Sequence, residues 1–217
     1  MKIDNLTAVY GDKKVLDNLN VEFKEGQITC VLGHSGAGKT TLLKCIANLK
    51  DYEGIIEGES PSFVFQEPRL IDGITVYKNL SLVGLSDSDI LSGLKSLNML
   101  DKMNEYPKSL SGGERQRINF LRALYYPSNT ILMDEPFSSL DIGLKLSLIN
   151  DFISIWKEKK QTVIFVTHDI EEALLLAERV LVIKQGKIAF DTLIEDEFPR
   201  EYYGNEKMRK LLLSHLL

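Results

Sequence analysis

The eight residues Gly33-His34-Ser35-Gly36-Ala37-Gly38-Lys39-Thr40 restrict the fold of this chain more than any other stretch. They match the pattern G-x-x-x-x-G-K-[ST] without departure. The glycines let the backbone curl around a phosphate chain, with successive N–H groups turned inward. A helix starting directly afterwards adds the partial positive charge of its N-terminus. Such a loop needs a strand before it and a helix after it, and both flanks comply. Ile28-Thr29-Cys30-Val31-Leu32 is an apolar run readable as a buried strand, and Leu42, Leu43, Ile46 and Ala47 recur at helical spacing. Gly33, His34, Ser35, Gly36, Ala37, Gly38, Lys39, Thr40 and Thr41 are therefore expected to surround a nucleoside triphosphate. Lys39 would reach its β- and γ-phosphates, and the Thr40 hydroxyl would ligate Mg²⁺. The alternative, a glycine-rich turn with a chance lysine, fits the flanks less well.

Composition narrows what that loop serves. The 217 residues are 44% hydrophobic and 26% charged, an ordinary balance for a globular protein with a sizeable core. Net charge is −5, so no global positive field draws nucleic acid or an anionic membrane. Cys30 and Cys45 read as buried reduced thiols rather than a disulfide or metal site. No apolar run approaches the ~20 residues that cross a bilayer, and Met1-Lys2-Ile3-Asp4-Asn5 does not open a signal peptide. The expectation is a protein soluble when isolated, with any membrane role reached through a partner.

Along the chain, Val9 to Phe23 reads as a strand, a turn at Gly11-Asp12 and a returning strand. The Gly-, Glu- and Ser-rich stretch from Asp51 to Pro61 reads as a short hairpin or loops, and Ser62 to Phe65 as a short strand ending at Gln66. Leucines at 80, 82, 85, 91, 94, 97 and 100 turn Thr75–Lys108 into a compact helical insert. A helix follows Ser111-Gly112-Gly113 until Pro127. Next come a strand over 130–133, a helix over about 142–159, a strand over 162–166, a short helix, a strand over 180–183 and a hairpin at Gln185-Gly186. Alternating strands and helices predict an α/β core with a mostly parallel sheet. Joined to it are an antiparallel β portion and a helical subdomain over approximately 67–110, all within one domain spanning 1–217.

Two further stretches carry chemistry. Ile131-Leu132-Met133-Asp134-Glu135-Pro136 is an apolar strand ending in two carboxylates. Beside a phosphate loop, Asp134 is placed to hold Mg²⁺ and Glu135 to polarise an attacking water. Leu110-Ser111-Gly112-Gly113-Glu114-Arg115-Gln116 offers a serine hydroxyl and glycine N–H groups at a helix start, which suits a second anion cradle and equally a simple helix cap.

Taken with the phosphate loop and the Asp-Glu strand, Leu110–Gln116 makes the chain resemble the ATP-binding cassette (ABC) ATPases over essentially its whole length. The resemblance implies ATP and Mg²⁺ as ligands and two cassettes facing head to tail around two ATP molecules. Ser111 and Gly113 of one chain, with Gly112 between them, would meet the γ-phosphate held by the other chain's Lys39. Gln66 matches the glutamine at the joint of the helical subdomain, which contacts Mg²⁺ and water. Ser138-Ser139-Leu140-Asp141 matches the loop coupling the two sites. His168 matches the switch histidine that holds the γ-phosphate and the attacking water. Tyr10 matches the aromatic that stacks on adenine, unless it is simply core, with Val15 packing nearby.

Within that family, Asp134-Glu135-Pro136-Phe137 resembles importers. Phe65-Gln66-Glu67-Pro68-Arg69-Leu70, Thr167-His168-Asp169-Ile170-Glu171-Glu172-Ala173-Leu174 and Phe198-Pro199-Arg200 look like the nitrate/sulfonate/taurine group. The resemblance implies an ATP-hydrolysing importer subunit on the cytoplasmic face of the cell membrane. It would act as a homodimer, or paired with a second cassette, beneath integral membrane permease subunits. An extracytoplasmic substrate-binding protein would act through that permease, and nucleic acid is not an expected partner. Readings kept open beside it are an export or cell-division ATPase with a separate membrane partner, and a cassette protein acting on nucleic acid or ribosomes.

The chain departs from the group twice. Only 26 residues lie between Lys39 and Gln66, and Ile71-Asp72-Gly73 stands where Leu-Pro-Trp is usual. No room for a regulatory domain is expected after the core. The Glu206–Leu217 tail reads as a helix, either touching membrane or permease or packed on the body of the chain.

Overall fold

Every residue of strand β3 (Ile28–Leu32) is buried, as are the six residues of β7 (Thr162–Thr167). Strands covered on both faces read as continuous apolar runs, which is how parallel sheets look in sequence. In the computed structural model, which describes residues 1–138 and 140–216, the two strands pair in parallel. They form the middle of a six-stranded sheet completed by β5 (Ser62–Val64), β6 (Thr130–Asp134), β8 (Arg179–Lys184) and β9 (Lys187–Leu193). The order is β5-β6-β7-β3-β8-β9, with β9 alone antiparallel to its neighbour.

Side chains alternate between two cores across this sheet. Ile28, Cys30, Met133, Val163, Phe165 and Val180 point into one hydrophobic cluster. The helices α2 (Val76–Ser81), α3 (Asp87–Ser96), α4 (Gly112–Tyr125), α5 (Ile142–Lys159), α6 (Ile170–Leu176) and α7 (Glu206–Leu216) contribute to that cluster. Val31, Leu132, Ile164, Val166 and Leu181 point the other way. They meet α1 (Lys39–Ile46) and a three-stranded antiparallel sheet of β1 (Lys2–Tyr10), β2 (Lys13–Glu22) and β4 (Glu53–Glu57), ordered β2-β1-β4. This is the α/β arrangement with a mostly parallel sheet, an antiparallel portion and added helices that the sequence predicts.

Helix starts follow capping chemistry. Thr75, Ser86, Ser111, Asp141 and Asp169 each accept a backbone N–H from the first turn they open. Helix α4 ends at Tyr125 because the residue before Pro127 is pushed out of the helical region.

Three expectations are revised. The first hairpin begins at Lys2, not Val9, since Ile3, Leu6 and Ala8 are buried against the core. Residues 51–61 form neither a hairpin nor only loops; β4 is a single strand that pairs antiparallel with β1 and supplies its second partner. The 75–108 stretch is two short helices followed by single tight turns, because Gly84, Pro107 and the polar breaks interrupt it. Cys30 and Cys45 are buried and unpaired; burial pushes both thiols up, Cys45 to about 11. Ser139 of the expected coupling loop lies outside the described residues. Among the described residues no helix is long and apolar enough to cross a membrane.

Phe120 ties α4 to the site through Phe137, at 5.5 Å between ring centroids, and to α5 through Phe152 at 5.4 Å. Phe152 is 1% exposed. Phe152→Ala is expected to destabilise the chain by about 3–5 kcal/mol, read as a lower urea midpoint at unchanged slope.

Candidate functional site

Parallel pairing sets the ends of β3, β6 and β7 side by side: Leu32 is opposite Thr167, and Asp134 is opposite Val166. The segments leaving these ends carry the Gly33–Thr40 loop, the Asp134-Glu135 pair and His168. Ligands of open α/β sheets gather at such carboxyl ends.

The loop does what its glycines permit. Gly36 and Gly38 have φ of 77° and 105°, conformations that side chains disfavour. At Gly36 the space a Cβ would take is open. At Gly38, which caps α1, a Cβ would meet Leu16 Cδ2 at 2.9 Å and the Val15 carbonyl at 3.0 Å. Lys39 is buried, and its Nζ donates to the carbonyls of Gly33 at 2.8 Å and His34 at 3.0 Å. Burial lowers its pKa, opposed by the charges of Glu135 and Asp134. Its ammonium thus sits against the loop from which it must reach an anion.

Thr40 Oγ1 donates to Asp134 Oδ1 at 2.9 Å. Burial raises the Asp134 pKa and the neighbouring Glu135 adds to this, while the Thr40 bond and the charges of Lys44 and Lys39 oppose it. A hydroxyl and a carboxylate held together are the donors a hard cation takes from protein, with phosphate and water oxygens completing the shell. Among the described residues no group of three or more His, Cys, Asp and Glu could hold a metal.

Glu135 has φ of 44°, outside the usual range for a side-chain-bearing residue. Strain of this kind costs about 1–3 kcal/mol and persists where the surroundings impose it. Here the Glu135 N–H is held by the Val166 carbonyl at 3.0 Å, and Gln116 Nε2 donates to the Pro136 carbonyl at 2.7 Å. The result aims the carboxylate between two partners: Oε1 lies 3.9 Å from Lys39 Nζ, and Oε2 lies 3.3 Å from His168 Nδ1.

The remaining expected residues surround this centre without all joining it. Gln66 is exposed and donates to Ser138 Oγ at 3.2 Å. It shares a cavity of about 250 Å³ with Gly112, Gln116 and Ser138. Ser111 is exposed and forms a capping box with Glu114, whose carboxyl is lowered first by the Ser111 backbone N–H. Gly112 is exposed and open, whereas Gly113 is buried, its missing Cβ making room for Leu144 Cδ1 at 2.6 Å. Asp141 is exposed and caps α5, and Thr41 is buried. Tyr10 is not core: it is half exposed at the end of β1, with Lys50 Nζ 4.6 Å from its ring centroid. Val15 and His34–Ala37 line a cavity of about 360 Å³ closed by the Gln185-Gly186 turn and by His215 and Leu216 of α7.

Three features carry no site role in the sequence alone, although the hairpin at Gln185-Gly186 and a terminal helix packed on the body of the chain are both expected from it. Gln116 stood in the quoted Leu110–Gln116 stretch, and its spacing from Gly113 already put it on the buried face of a helix. Gly186 approaches Val15 so closely that a Cβ would lie 2.4 Å from the Val15 carbonyl, a contact no local pattern encodes. Helix α7 packs on the body of the chain through Leu212 and Leu216, and the Leu216 carbonyl lies 3.1 Å from His34 Nε2.

A sequence profile of the ABC transporter family matches residues 16–138. An aliphatic sulfonates import ATP-binding protein, SsuB 1 of Pseudomonas syringae pv. tomato, is 35% identical over all of this chain and 82% of its own length. The SsuB of Bacillus cereus is 40% identical, over 94% of this chain and 89% of its own. A dimeric ATP-binding cassette solved in a post-hydrolysis state with ADP and Pi superposes with a TM-score of 0.75 at 28% identity. That match covers 90% of this chain and 99% of the cassette.

Gly38→Ala is expected to cost at least about 1 kcal/mol through strain and collision with Leu16, and to abolish retention of a fluorescent ATP analogue. Gly36→Ala, where the space is open, should carry the strain alone and retain part of the binding.

Proposed function

Since this chain belongs to the ABC transporter family and is an ATPase, we propose that it is the ATP-hydrolysing subunit of an importer whose membrane path is a separate permease. The position of Glu135 between Lys39 and His168, next to the Thr40–Asp134 pair, carries this reading. On it, the N–H groups of Gly36–Thr40 and the Lys39 ammonium hold the β- and γ-phosphates. Moving from the Gly33 and His34 carbonyls to a phosphate exchanges neutral acceptors for a charged one, which favours the bound state. Thr40, Asp134 and Gln66 would hold Mg²⁺, which would supply positive charge to offset that of the phosphates.

Glu135 orients and deprotonates the attacking water, and His168 braces the γ-phosphate from the other side. Tyr10 and Val15 receive the adenine. Ser111 and Gly112 face outward at the start of α4, and the Ser111 oxygen already accepts the Glu114 N–H, which leaves its proton to donate. A second copy, or a second cassette, would bring these groups and the Gly113 N–H to the nucleotide on Lys39, with Asp141 facing the partner. The 1–217 chain then works as one ATPase unit in which the helices within 67–110 and the groove at Gln66 meet the permease. The cargo proposed is an aliphatic sulfonate, for which the relatives are named, delivered by an extracytoplasmic binding protein. The chain would sit on the cytoplasmic face of the membrane.

Glu135→Gln is expected to lower ATP turnover by roughly 10²–10⁴-fold with nucleotide affinity retained; undiminished hydrolysis would remove Glu135 as the base. Mixing Ser111→Glu chains with wild type should depress activity per site, and full activity in the mixture would exclude the head-to-tail sandwich. The chain should co-purify with an integral membrane protein, and recovery with ribosomes or DNA instead would refute the importer.

A further inference from the structure

His168 has little to hold it. Its side chain is 62% exposed, and its polar contact is the 3.3 Å approach to Glu135. Where the ring points therefore depends on the backbone from Thr167 to Asp169. That turn is fastened from beneath. Thr167 is buried; its Oγ1 donates to Glu172 Oε2 at 2.6 Å and accepts the Asp169 N–H at 3.0 Å. Asp169 divides its carboxylate. Oδ1 accepts the Glu171 N–H at 2.8 Å and caps α6, while Oδ2 accepts from Lys145 Nζ at 2.7 Å. The same ammonium lies 2.6 Å from Glu172 Oε1. One cation, 11% exposed, thus joins the carboxylates that fix both ends of the turn, and Glu172 is only 3% exposed.

Lys145 is not on the strand or helix it fastens. It belongs to the first turn of α5, where its N–H closes on the Asp141 carbonyl at 2.9 Å. Among the described residues it is the cation paired with Asp169 and Glu172; the neighbouring Glu171 pairs with Arg209 instead. A buried pair of this kind adds little net stability over apolar packing, but it fixes geometry. Here the geometry it fixes is that of the turn carrying His168.

We propose that Lys145 is a positioning residue for ATP hydrolysis: by clamping Asp169 and Glu172 it keeps His168 aimed at Glu135, and it ties that aim to the α5 start capped by Asp141. The proposal rests on the reading that His168 and Glu135 act on the γ-phosphate and the attacking water. A shift of the Asp141 segment then moves the histidine through a rigid first helical turn and one ion pair.

The test is a double-mutant cycle on the full chain, with ATP turnover and binding of a fluorescent ATP analogue as readouts. Lys145→Met is expected to lower kcat about tenfold, with nucleotide affinity changed less than about twofold, because misaiming affects the reacting geometry and spares the phosphate loop. Lys145→Arg should recover most of the loss. In a His168→Ala background, Lys145→Met should cost less than about twofold, since the residue it acts through is gone. Lys145→Met leaves Glu172 buried and unpaired, so Lys145→Met/Glu172→Gln serves as the folded companion; it should show the same His168-dependent loss. Equal losses with and without His168, or wild-type turnover in the companion, overturn the clamp while leaving the site intact. A His168→Ala chain that turns over normally overturns the reading of the site and the clamp with it.

Discussion

The parallel register of β3, β6 and β7 is the constraint on which the rest of this molecule depends. With Leu32 beside Thr167 and Asp134 beside Val166, three strand ends finish at one level. A loop rich in N–H donors, a pair of carboxylates and a histidine leave the sheet within a few ångströms of one another. A slip of one residue in either pairing would turn every side chain on that strand to the opposite core, so the two hydrophobic clusters hold the register. The apolar packing on the two faces of the sheet thereby sets distances among charged groups at its edge.

Concentrating such groups has a cost that the surroundings absorb. Lys39 is buried, Asp134 is partly desolvated beside a second carboxylate, and Glu135 occupies a left-handed backbone conformation. Each is tied by something outside the motif that contains it. Thr40 bonds Asp134, Val166 holds the Glu135 N–H, and Gln116 on α4 holds the Pro136 carbonyl. Lys145 on α5 holds the turn after β7. Helices α4 and α5 thus support the carboxyl end of the sheet, and both begin at exposed caps, Ser111 and Asp141, where a second cassette is proposed to press. Binding at those caps and geometry at the site share the same two rigid elements.

Much of this was legible beforehand because it is local. Strand–loop–helix around Gly33–Thr40, the apolar run before Asp134, the helix start at Ser111 and the stop at Pro127 each rest on neighbours in the chain. Residues whose role depends on distant partners were harder to read. Strand β4 carries no alternating apolar pattern, and it exists because β1 offers it an edge. The start of β1 at Lys2 follows from Ile3 and Leu6 finding a core that only the folded sheet provides. Gly113 is expected from its motif to meet a phosphate, and the close approach of Leu144 where its Cβ would lie is a separate packing demand that the motif does not contain. The placement of α7 against His34 joins residues 182 positions apart, beyond the reach of any periodicity.

By itself the sequence determined that this chain binds a nucleoside triphosphate and belongs with α/β ATPases, since backbone conformation at glycines, caps and apolar runs is decided within a few residues. Only the tertiary structure decided what the motifs are to one another. Thr40 meets Asp134 across 94 positions of sequence, and Glu135 comes between Lys39 and His168. Such meetings are set by sheet register and two packed cores, properties of the whole fold that no short stretch contains.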